Sequence, residues 1–489
     1  MSGKPSLTTP DWLRQRAAAS PARTAIVSRE GTLSFADLDA AASGVAGRLR
    51  ALGVKPGDHV ALLAPNSAAF AKVVFGVMRA GAALVPLNTR LTDAELAWQL
   101  ADSEPALLVA AGGAPIPPSR CALATLEEVS EAGGEAMGEA GQFDLDALHS
   151  IIYTSGTSGR PKGAMLTYGN HLWNALGSAA NLGVRDDDRW LACMPLFHVG
   201  GLSILLRGVL YGMTVEVHEG FDAARVNEAL SGGDVTIVSL VATMLRRMLA
   251  AHEGAYHPRL RCVLLGGGPA PADLVQECLR RGIPVAPTYG LTEAASQVST
   301  LLPEEAAAKP GSAGKPLLTV VLSIVREDGS AAPAGEAGEI AVRGPTVMAG
   351  YWRRPEATAA ALRDGSLRTG DYGYLDSEGY LYVADRRDDL IVTGGENVYP
   401  AEVEAVLEAH AAVREAGVFA LPDREWGQRV AAAVVLEPGA EAGAEALRAW
   451  CRERLAGYKA PRTFVFLPEL PRTASGKLLR RELRERHGG

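Results

Sequence analysis

Short apolar segments alternate with helical segments near the start of the chain, and this alternation constrains the fold more than any other feature. Apolar runs at 60–64, 82–86 and 106–110 are separated by segments of helical periodicity at 67–79 and 93–100. Strands that alternate with helices of this length form parallel sheets with crossover helices. The chain has 489 residues, more than one hydrophobic core supports, so at least two domains are expected.

Several strands run into loops rich in glycine and hydroxyl side chains. The longest is IIYTSGTSGRPKGAM (Ile151–Met165), which also carries Arg160 and Lys162, and others occupy Gly266–Gly268 and Thr288–Glu293. Glycine lets the backbone approach a ligand, and main-chain N–H groups can surround an anion. Ligands lie at the carboxyl ends of strands in open α/β sheets, so these loops predict one shared phosphate site. The spacing is not that of a P-loop, and a solvated Gly/Ser turn is the alternative for the first loop alone.

The pattern of strands and turns changes in the later part of the chain. After residue 319 the strands come closer together and are joined by Asp-Gly and Glu-Gly turns, which predicts a smaller antiparallel or barrel-like part. The charge run Asp385–Asp389 indicates a domain junction or an exposed turn, and a compact α+β segment follows it. The segment 112–141, rich in Gly, Ala and Glu, is predicted to be a variable surface insertion.

Composition excludes several classes of function. The net charge is −8 and the basic residues are scattered, which argues against a nucleic-acid-binding surface. No apolar run reaches the length of a membrane span, and the first residues show no cleavage pattern. The five cysteines are widely spaced and form no C-x-x-C pair, which indicates reduced thiols in a cytoplasmic protein and no metal cage.

Five motifs then occur in order: YTSGTSGRPKG (Tyr153–Gly163), YGLTE (Tyr289–Glu293), TGD (Thr369–Asp371), DRRDDLIVTGGENVYPAEVE (Asp385–Glu404) and RTASGK (Arg472–Lys477). In order and spacing they resemble the core motifs of the adenylate-forming acyl-CoA synthetases, over nearly the whole chain. The resemblance implies that a carboxylic acid and MgATP form an acyl-AMP with release of pyrophosphate. The acyl group would then pass to the thiol of CoA with release of AMP.

The resemblance also assigns an ATP site, whose chemistry is the positioning and electrostatic stabilisation of anions. Thr292 would donate to the α-phosphate, and Glu293 would ligate Mg²⁺, a hard cation suited to a carboxylate. Taken alone, Asp371 is also typical of a glycine-rich turn and Glu293 of a helix N-terminus. The residues implied are Thr154, Ser155, Gly156, Thr157, Ser158, Gly159 and Lys162 at the β- and γ-phosphates, Gly267, Gly268, Tyr289 and Gly290 around adenine and the acyl group, and Asp371 and Arg386 at the ribose.

Lys477 is the catalytic residue that the resemblance implies most strongly. It would act as a fixed positive charge between the attacking carboxylate and the α-phosphate; taken alone it would be a solvated lysine. Because Lys477 lies near the end of the chain, the small C-terminal domain must deliver it, and the resemblance implies that this domain moves about a hinge at Asp388. Rotation would withdraw Lys477 and bring Gly394–Glu396 to the CoA thiolation tunnel.

The acid is predicted from a finer resemblance. Met194–Met213, Leu260–Pro271 and Thr288–Leu301 are similar to the o-succinylbenzoate–CoA ligases of menaquinone biosynthesis, a group within that family. Their substrate is a dicarboxylate, and Arg207 is a cation inside the apolar run LSILLRGVL, where an unpaired charge is unexpected. We expect Arg207 to bind the carboxylate that does not react, directly or through water. An arginine that snorkels from its helix is the alternative.

Further residues are predicted to complete the acid site. His198 would be a catalytic residue at the pocket mouth, although a lone histidine after a strand is also typical of a packed surface residue. The residues predicted to line the pocket with it are Ser296, Gln297, Ser299 and Thr300.

The predicted fold is therefore α/β. Residues 1–387 would form a large N-terminal adenylation domain of stacked mixed sheets with flanking helices and a small barrel-like part. Residues 388–489 would form a small mobile α+β domain carrying the catalytic lysine. The predicted partners are a small carboxylic acid, ATP and CoA, with no nucleic acid and no membrane span; a homo-oligomer is left open.

Three alternatives to this function remain at this point. The first is a synthetase for aryl or medium-chain acids, and the second is a stand-alone adenylation enzyme that loads a carrier-protein thiol. The third is a non-catalytic nucleotide-binding relative. The presence of both Glu293 and Lys477 argues against the third.

Overall fold

The computed structural model describes residues 7–114, 116–117, 121–131, 141–154, 161–268, 270–386, 391–471 and 478–488. For residues 384–386, 401 and 481 it describes the backbone only. Helices and β-sheets alternate over this length, so the predicted α/β class is confirmed.

The helices are α1 (Trp12–Ala19), α2 (Phe35–Ala51), α3 (Ala68–Arg79), α4 (Asp93–Ser103), α5 (Leu126–Ser130), α6 (Tyr168–Leu182), α7 (Val199–Tyr211), α8 (Ala223–Gly232), α9 (Ala242–Ala251), α10 (Ala272–Arg280), α11 (Pro355–Ala361), α12 (Pro400–Glu408), α13 (Ala444–Arg452) and α14 (Arg480–His487), with a 3₁₀ turn at Thr292–Ala294.

The strands up to residue 300 are β1 (Thr8–Pro10), β2 (Thr24–Ser28), β3 (Gly31–Ser34), β4 (His59–Leu63), β5 (Ala83–Pro86), β6 (Leu107–Ala110), β7 (Ala122–Thr125), β8 (Gln142–Asp144), β9 (Leu148–Thr154), β10 (Lys162–Thr167), β11 (Arg189–Ala192), β12 (Thr214–Val217), β13 (Ile237–Leu240), β14 (Cys262–Leu265), β15 (Val285–Leu291) and β16 (Ser296–Thr300). The later strands are β17 (Lys315–Pro316), β18 (Val321–Val325), β19 (Gly338–Arg343), β20 (Gly350–Tyr351), β21 (Leu362–Arg363), β22 (Ser366–Leu375), β23 (Leu381–Arg386), β24 (Ile391–Thr393), β25 (Glu396–Val398), β26 (Val413–Asp423), β27 (Gly427–Leu436) and β28 (Thr463–Phe466).

Two mixed sheets carry most of the described fold. The first has the strand order β20-β10-β9-β5-β4-β6-β7, and the second has the order β17-β16-β15-β14-β13-β11-β12-β2-β3. Strands β9, β5, β4, β6 and β7 pair in parallel, and so do β2, β12, β11, β13, β14 and β15. The remaining strands pair antiparallel at the edges. The parallel-sheet prediction therefore holds for the strands whose carboxyl ends carry the glycine-rich loops.

Two smaller sheets follow. Strands β18, β19, β22 and β21 pair antiparallel in this order, as the Asp-Gly and Glu-Gly turns predict. Strand β23 also pairs antiparallel with β22. The C-terminal part has the order β25-β24-β27-β26, with β28 parallel to β27. The boundary predicted between residues 387 and 388 falls outside the described residues and stays a prediction.

Helix starts follow local sequence signals. The Ser34 hydroxyl accepts the Asp37 N–H, and the Asp37 carboxylate accepts the Ser34 N–H, so a capping box is present at α2. Thr92 and Glu95 form the same box at α4. Each box satisfies two backbone donors that the first helical turn leaves without partners.

The prediction of a surface insertion at 112–141 is wrong for its described residues 121–131. Strand β7 extends the first sheet in parallel with β6, and α5 packs on α2 and α3. Leu126 and Val129 are buried in the main core. Three residues apart on one helical turn, these two apolar side chains are too few to reveal the helix by periodicity.

The core is continuous across the larger part of the chain. Apolar side chains of both sheets and of α2, α3 and α7 pack together in it. A separate cluster joins Ala456 and Tyr458 of the C-terminal part to Leu91 and Leu96 beside the first sheet. None of the described helices has the length and apolar character that crossing a bilayer requires.

The cysteines lie where the sequence predicts core thiols. Cys193, Cys262, Cys278 and Cys451 are buried and free, and Cys121 is partly buried. Burial raises the pKa of the Cys193 and Cys262 thiols to about 12, so these two are protonated and inert at neutral pH.

Two imidazoles are buried together behind the first sheet. His149 and His171 are 1% and 3% exposed, and their ring centroids are 4.4 Å apart. The His171 Nε2 atom is hydrogen-bonded with the Ser150 hydroxyl, whereas both ring nitrogens of His149 have no partner among the described residues. Burial lowers the pKa of His149 to about 3, and burial, His149 and Arg207 lower the pKa of His171 well below its ordinary value. Both rings are therefore neutral at neutral pH.

We predict that His149 makes the fold sensitive to acid. Unfolded histidine binds a proton at pH about 6.5, whereas His149 in the folded chain does so only near pH about 3. Between these values the unfolded state binds more protons, so the free energy of unfolding falls as the pH falls below about 6.5. The expected loss is about 2 kcal/mol between pH 7 and pH 5. In the His149→Phe variant the urea-unfolding midpoint should fall less between these pH values.

His487→Phe, a change at a partly buried ring in the C-terminal part, is the control. A midpoint that shifts with pH as much in His149→Phe as in the unchanged chain would contradict the prediction.

Candidate active site

A cavity of about 310 Å³ lies where the carboxyl ends of β9, β11, β13, β14 and β15 come together. Its volume is at the lower end of the range for small-molecule sites. The glycine-rich loops after these strands contribute to its wall, so the predicted convergence on one site is confirmed for the described loops.

The predicted site residues divide into three groups. Those in the cavity wall are Thr154, His198, Arg207, Gly267, Gly290, Thr292, Glu293, Ser296, Gln297, Asp371, Gly395 and Glu396. Those that lie outside the wall are Lys162, Gly268, Tyr289, Ser299, Thr300 and Gly394. Those outside the described residues are Ser155, Gly156, Thr157, Ser158, Gly159, Asp388 and Lys477, together with the side chain of Arg386.

The Glu293 carboxylate is held at one end of the cavity by hydroxyl groups. The Tyr351 hydroxyl donates to Glu293 Oε1 over 2.8 Å, and the Thr154 hydroxyl lies 3.4 Å from the same oxygen. Lys162 Nζ lies 5.2 Å from the centroid of the Tyr351 ring. Burial and the Glu293 charge raise the pKa of Tyr351, so its hydroxyl stays a donor. A fixed carboxylate beside a hydroxyl oxygen suits a hard cation such as Mg²⁺.

The Asp371 carboxylate is fixed at a second point of the wall. The Tyr289 hydroxyl donates to Asp371 Oδ2 over 2.7 Å, and the Asp371 N–H donates to the Thr369 hydroxyl over 3.1 Å. Asp371 pairs with Arg386 across β22 and β23, which places the Arg386 backbone beside the site. An acceptor-only carboxylate in the wall can bind the two hydroxyls of a ribose.

A strained turn carries Thr292 and Glu293 into the cavity. Ala295 and Ser296 have φ values of 57° and 111°, a region that residues other than glycine rarely adopt. A Cβ atom at Gly290 would lie 1.9 Å from the Ser296 carbonyl oxygen, so only glycine fits there. Backbone strain of this kind clusters at functional sites.

Arg207 is a buried cation in the cavity wall. It is 2% exposed, and no carboxylate pairs with it among the described residues. Its Nη2 donates to the Asn174 Oδ1 over 2.7 Å, and its guanidinium carbon lies 5.4 Å from the Trp190 ring centroid. Its Nε is buried and has no partner in the described part of the chain. Burial lowers the pKa of Arg207, but a guanidinium remains charged at neutral pH.

The wall beside Arg207 includes another polar atom without a partner. Gln297 donates through Nε2 to the Thr300 hydroxyl over 3.0 Å, and its Oε1 is buried without a partner among the described residues. The Ser299 hydroxyl donates to the Ala313 carbonyl, and the Thr300 hydroxyl bonds with that of Thr288. Ser299 and Thr300 therefore brace the wall from behind, and Ser296 and Gln297 face the cavity.

The C-terminal part closes the cavity with Glu396. Its carboxylate bonds with His198 Nε2 at 3.2 Å and with Arg90 Nη1 at 2.9 Å, and both partners belong to the larger part of the chain. Burial alone would raise the pKa of Glu396, but the His198 hydrogen bond and the Arg90 charge leave it below its ordinary value. Glu396 is therefore an anion between His198 and Arg90.

Two glycines allow this close approach. The Cβ atoms of alanine at Gly267 and Gly395 would each lie 2.9 Å from a methyl carbon of Val241. Both glycines have positive φ. Gly394, which also has positive φ, packs against the Trp426 ring. The turn Gly394–Glu396 thus lies against Val241 because it has no side chains at its first two positions.

Comparison with known proteins agrees with this geometry. The family model for the AMP-binding enzymes matches residues 13–352, and the model for the AMP-binding enzyme C-terminal domain matches residues 402–477. The chain belongs to the AMP-binding enzyme family. One curated relative is the 2-succinylbenzoate–CoA ligase of Geobacillus kaustophilus (strain HTA426), which is 51% identical over 485 residues, with 98% of each chain covered.

Two solved structures of one related AMP-binding enzyme differ in how similar they are to this chain. A double mutant of o-succinylbenzoate CoA synthetase from Bacillus subtilis, bound with a product analogue, has a TM-score of 0.93 at 43% identity, covering 98% of this chain and 99% of that one. The complex of that synthetase with its acyl-adenylate intermediate has a TM-score of 0.76 at 43% identity, covering 99% of each chain. At the same identity, the overall structure is therefore more similar to the product-analogue complex than to the acyl-adenylate complex.

A buried ion triad joins the two parts of this AMP-binding enzyme. Lys459 is 3% exposed, and its Nζ lies 2.6 Å from Glu95 Oε1 and 2.8 Å from Glu402 Oε1. Burial would lower the pKa of Lys459, but the two carboxylates raise it above its ordinary value. Burial raises the pKa of Glu402 despite the Lys459 charge. Glu95 belongs to α4 and Glu402 to α12, so the triad connects the two parts.

The sequence does not single out four residues that the structure places at the site: Asn174, Tyr351, Arg90 and Lys459. Asn174 lies three residues after His171, and this buried polar pair on one face of α6 is a signal that could have revealed it. The other three lie in segments without a recognisable pattern. Only the packing of distant segments brings Lys459 into the cavity wall and Tyr351 and Arg90 into contact with wall residues.

We predict that Gly290→Ala abolishes most activity without unfolding the chain. The added Cβ must displace the Ser296 carbonyl and with it the turn that carries Thr292 and Glu293. A displacement of about 1 Å at reacting groups costs on the order of 100-fold in rate. ATP-dependent release of pyrophosphate measures the loss, and a thermal melt checks folding.

Gly232→Ala is the matched control, because its Cβ would meet nothing within 4 Å and it lies at the end of α8. Equal activity in the two variants would show that the turn has room for a side chain.

Proposed function

We propose that this chain is an AMP-forming o-succinylbenzoate–CoA ligase. The observation that carries the proposal is the buried cation Arg207 in the cavity wall, which has no carboxylate partner among the described residues. Relatives that are named 2-succinylbenzoate–CoA ligase at 51% and 48% identity over nearly the full length support it. The substrates are o-succinylbenzoate, ATP and CoA, and ATP is used with Mg²⁺.

The first step forms the acyl-adenylate. An oxygen of the succinyl carboxylate bonds to the α-phosphorus of ATP, and the bond from that phosphorus to the bridging oxygen breaks to release pyrophosphate. Thr292 donates to the α-phosphate, and Thr154 to Lys162 hold the β- and γ-phosphates. Tyr289 orients Asp371 to accept the ribose hydroxyls. Mg²⁺ would be ligated by Glu293 and would neutralise phosphate charge.

The second step transfers the acyl group to CoA. The thiolate sulfur attacks the carbonyl carbon of the adenylate, the bond to the phosphate oxygen breaks, and AMP leaves. Gly395 and Glu396 form part of the wall in the described arrangement, and Glu396 bonds with His198. Movement of the His198 side chain away from the cavity mouth toward Glu396 would open a path for the CoA thiolate to the carbonyl carbon. This assignment fits the similarity in overall structure to the product-analogue complex.

The two steps require two arrangements of the chain. Lys477 would enter the cavity for adenylation as a positive charge on the developing anion. Rotation about Asp388 would then withdraw Lys477 and form the Glu396 contacts and the Lys459 triad. The domains would be 1–387 and 388–489, with the hinge at their junction.

The proposed preference for a dicarboxylic acid follows from the positive charge of Arg207. The ring carboxylate of o-succinylbenzoate would pair with Arg207 in the wall. A medium-chain acid would leave a buried cation without a counter-ion, which is costly in a low-dielectric site. Cytoplasmic localisation is part of the proposal, since free core thiols and the use of ATP and CoA are typical of that compartment.

Replacement of Arg207 tests whether this residue binds the ring carboxylate of o-succinylbenzoate. Arg207→Met keeps much of the buried volume and removes the charge, so the KM for o-succinylbenzoate should rise by on the order of 10- to 100-fold, the value of a charged hydrogen bond. The KM for ATP should stay near that of the unchanged enzyme. Steady-state AMP release at varied acid and varied ATP separates the two.

The comparison acid is 4-oxo-4-phenylbutanoate, which lacks the ring carboxylate. Its KM should change little in Arg207→Met. An unchanged KM for o-succinylbenzoate in this variant would refute the role of Arg207.

Replacement of Glu95 tests the second arrangement. Glu95→Gln keeps the helix cap through the amide oxygen but removes the negative charge from Lys459. Thioester formation should slow by roughly tenfold, the effect of about 1.4 kcal/mol lost from the interface. Adenylate formation should persist. Rapid mixing of the enzyme-bound adenylate with CoA measures the thioester step directly.

Glu104→Gln is the matched control, since Glu104 pairs with Arg353 at the surface of the larger part. Equal thioester rates for Glu95→Gln and Glu104→Gln would exclude the triad from the second step.

A further inference from the structure

The Asn174 side chain joins three elements at the acid end of the cavity. It lies on α6 and is 1% exposed. Its Oδ1 accepts from Arg207 Nη2 over 2.7 Å. Its Nδ2 donates to the carbonyl oxygens of Ala294 over 3.2 Å and Gln297 over 2.8 Å. One amide therefore connects Arg207 on α7 to the strained turn that follows Glu293.

The chemistry of its neighbours fixes the orientation of this amide. A guanidinium only donates, so the atom facing Arg207 must be an acceptor. The two carbonyls only accept, so the atom facing them must be a donor. A flipped Asn174 would place like groups against one another on both sides. All three bonds are thus made in one orientation only.

The acceptor that holds Arg207 is neutral. The other groups around the guanidinium are the Trp190 ring, the hydroxyl of Tyr211 on its own helix and the neutral imidazole of His171. None of these compensates its charge. An aspartate at position 174 would be nearly isosteric but would form an ion pair with Arg207. Asparagine orients the cation and leaves its charge available.

We infer that Asn174 is the positioning residue that sets specificity for a dicarboxylic acid, an inference that rests on the proposed function. It holds Arg207 ready for the carboxylate that does not react. It also fixes the separation between Arg207 and the turn that carries Thr292 and Glu293. An acid bound on Arg207 therefore presents its other carboxylate at a set distance from the α-phosphate.

The test compares two acids in two Asn174 variants. The readout is the ratio of kcat/KM for o-succinylbenzoate to kcat/KM for 4-oxo-4-phenylbutanoate, measured as AMP release with saturating ATP and CoA. Asn174→Asp should lower this ratio by on the order of 10- to 100-fold, because the new carboxylate occupies Arg207. Asn174→Ala should lower it less, since the cation is no longer oriented but keeps its charge.

Asn170→Asp is the matched control. Asn170 lies one turn earlier on α6 and donates through Nδ2 to two carbonyl oxygens, those of Pro345 and Val347, over 2.9 and 2.8 Å. The same substitution there removes the same kind of bonds without touching Arg207. The ratio should stay near that of the unchanged enzyme, whatever happens to the absolute rates.

The outcomes distinguish this inference from the proposed function. An unchanged enzyme that does not prefer the dicarboxylate would refute the proposed function itself. A preference that persists in Asn174→Asp, or that falls equally in Asn170→Asp, would overturn the role of Asn174 alone. If Asn174→Asp does not fold, Asn174→Ala decides: equal proportional losses for both acids would show a merely structural role.

Discussion

Burial of charge between elements that are distant in sequence is the constraint on which this site depends. Arg207, Glu396 and Lys459 are all removed from water, and taking an ion out of water costs several kcal/mol unless partners replace the solvent. Lys459 and Glu396 meet opposite charges from across the two parts of the chain. Arg207 meets only a neutral amide and an aromatic ring. The chain thus stabilises two of these ions by its own arrangement and leaves the third without a counter-ion among the described residues.

The described residues of the site also provide two different environments. Near Glu293 and Asp371, tyrosine hydroxyls fix carboxylates that, in the proposed function, would bind a cation and a diol. Near Arg207, the partners are a neutral amide, an aromatic ring and other uncharged groups, and no carboxylate pairs with it in the described part of the chain. A molecule with an anionic group at one end and a nucleotide at the other matches both. The acyl-adenylate of a dicarboxylic acid is such a molecule.

Much of the architecture could be predicted from the sequence because local signals and the fold agree. The apolar runs before the glycine-rich loops became the parallel strands that carry Thr154, Gly267 and Thr292 to the cavity. The antiparallel part after residue 319 followed from its turns. The short helix α5 was not predicted, because its two buried apolar side chains are too few to show a helical periodicity. The predicted roles of Lys477, Asp388 and Ser155 to Gly159 concern residues outside the described structure and stay predictions.

Residues that act through another side chain could not be predicted. Nothing in the neighbourhood of Tyr351 along the chain distinguishes it, and the polar pair of Asn174 with His171 on α6 does not show what Asn174 contacts. Asn174 gains its importance from Arg207, 33 residues away, and Tyr351 from Glu293, 58 residues away. Motifs record the groups that contact a substrate, whereas the partners of those groups are set by packing.

The two carboxylate oxygens of Glu95 make different contacts. Oε2 caps the start of α4 by accepting from Thr92, and Oε1 binds Lys459. The bonds between Thr92 and Glu95 lie within the larger part of the chain, and only the longer contact of the Thr92 hydroxyl, 3.3 Å to the Arg454 carbonyl oxygen, reaches the C-terminal part. When the C-terminal part leaves in the proposed rotation, α4 keeps its first turn and Oε1 exchanges an ammonium group for water. The docking surface is then already formed for each new turnover, and the cycle requires no refolding of the helix that receives the moving domain.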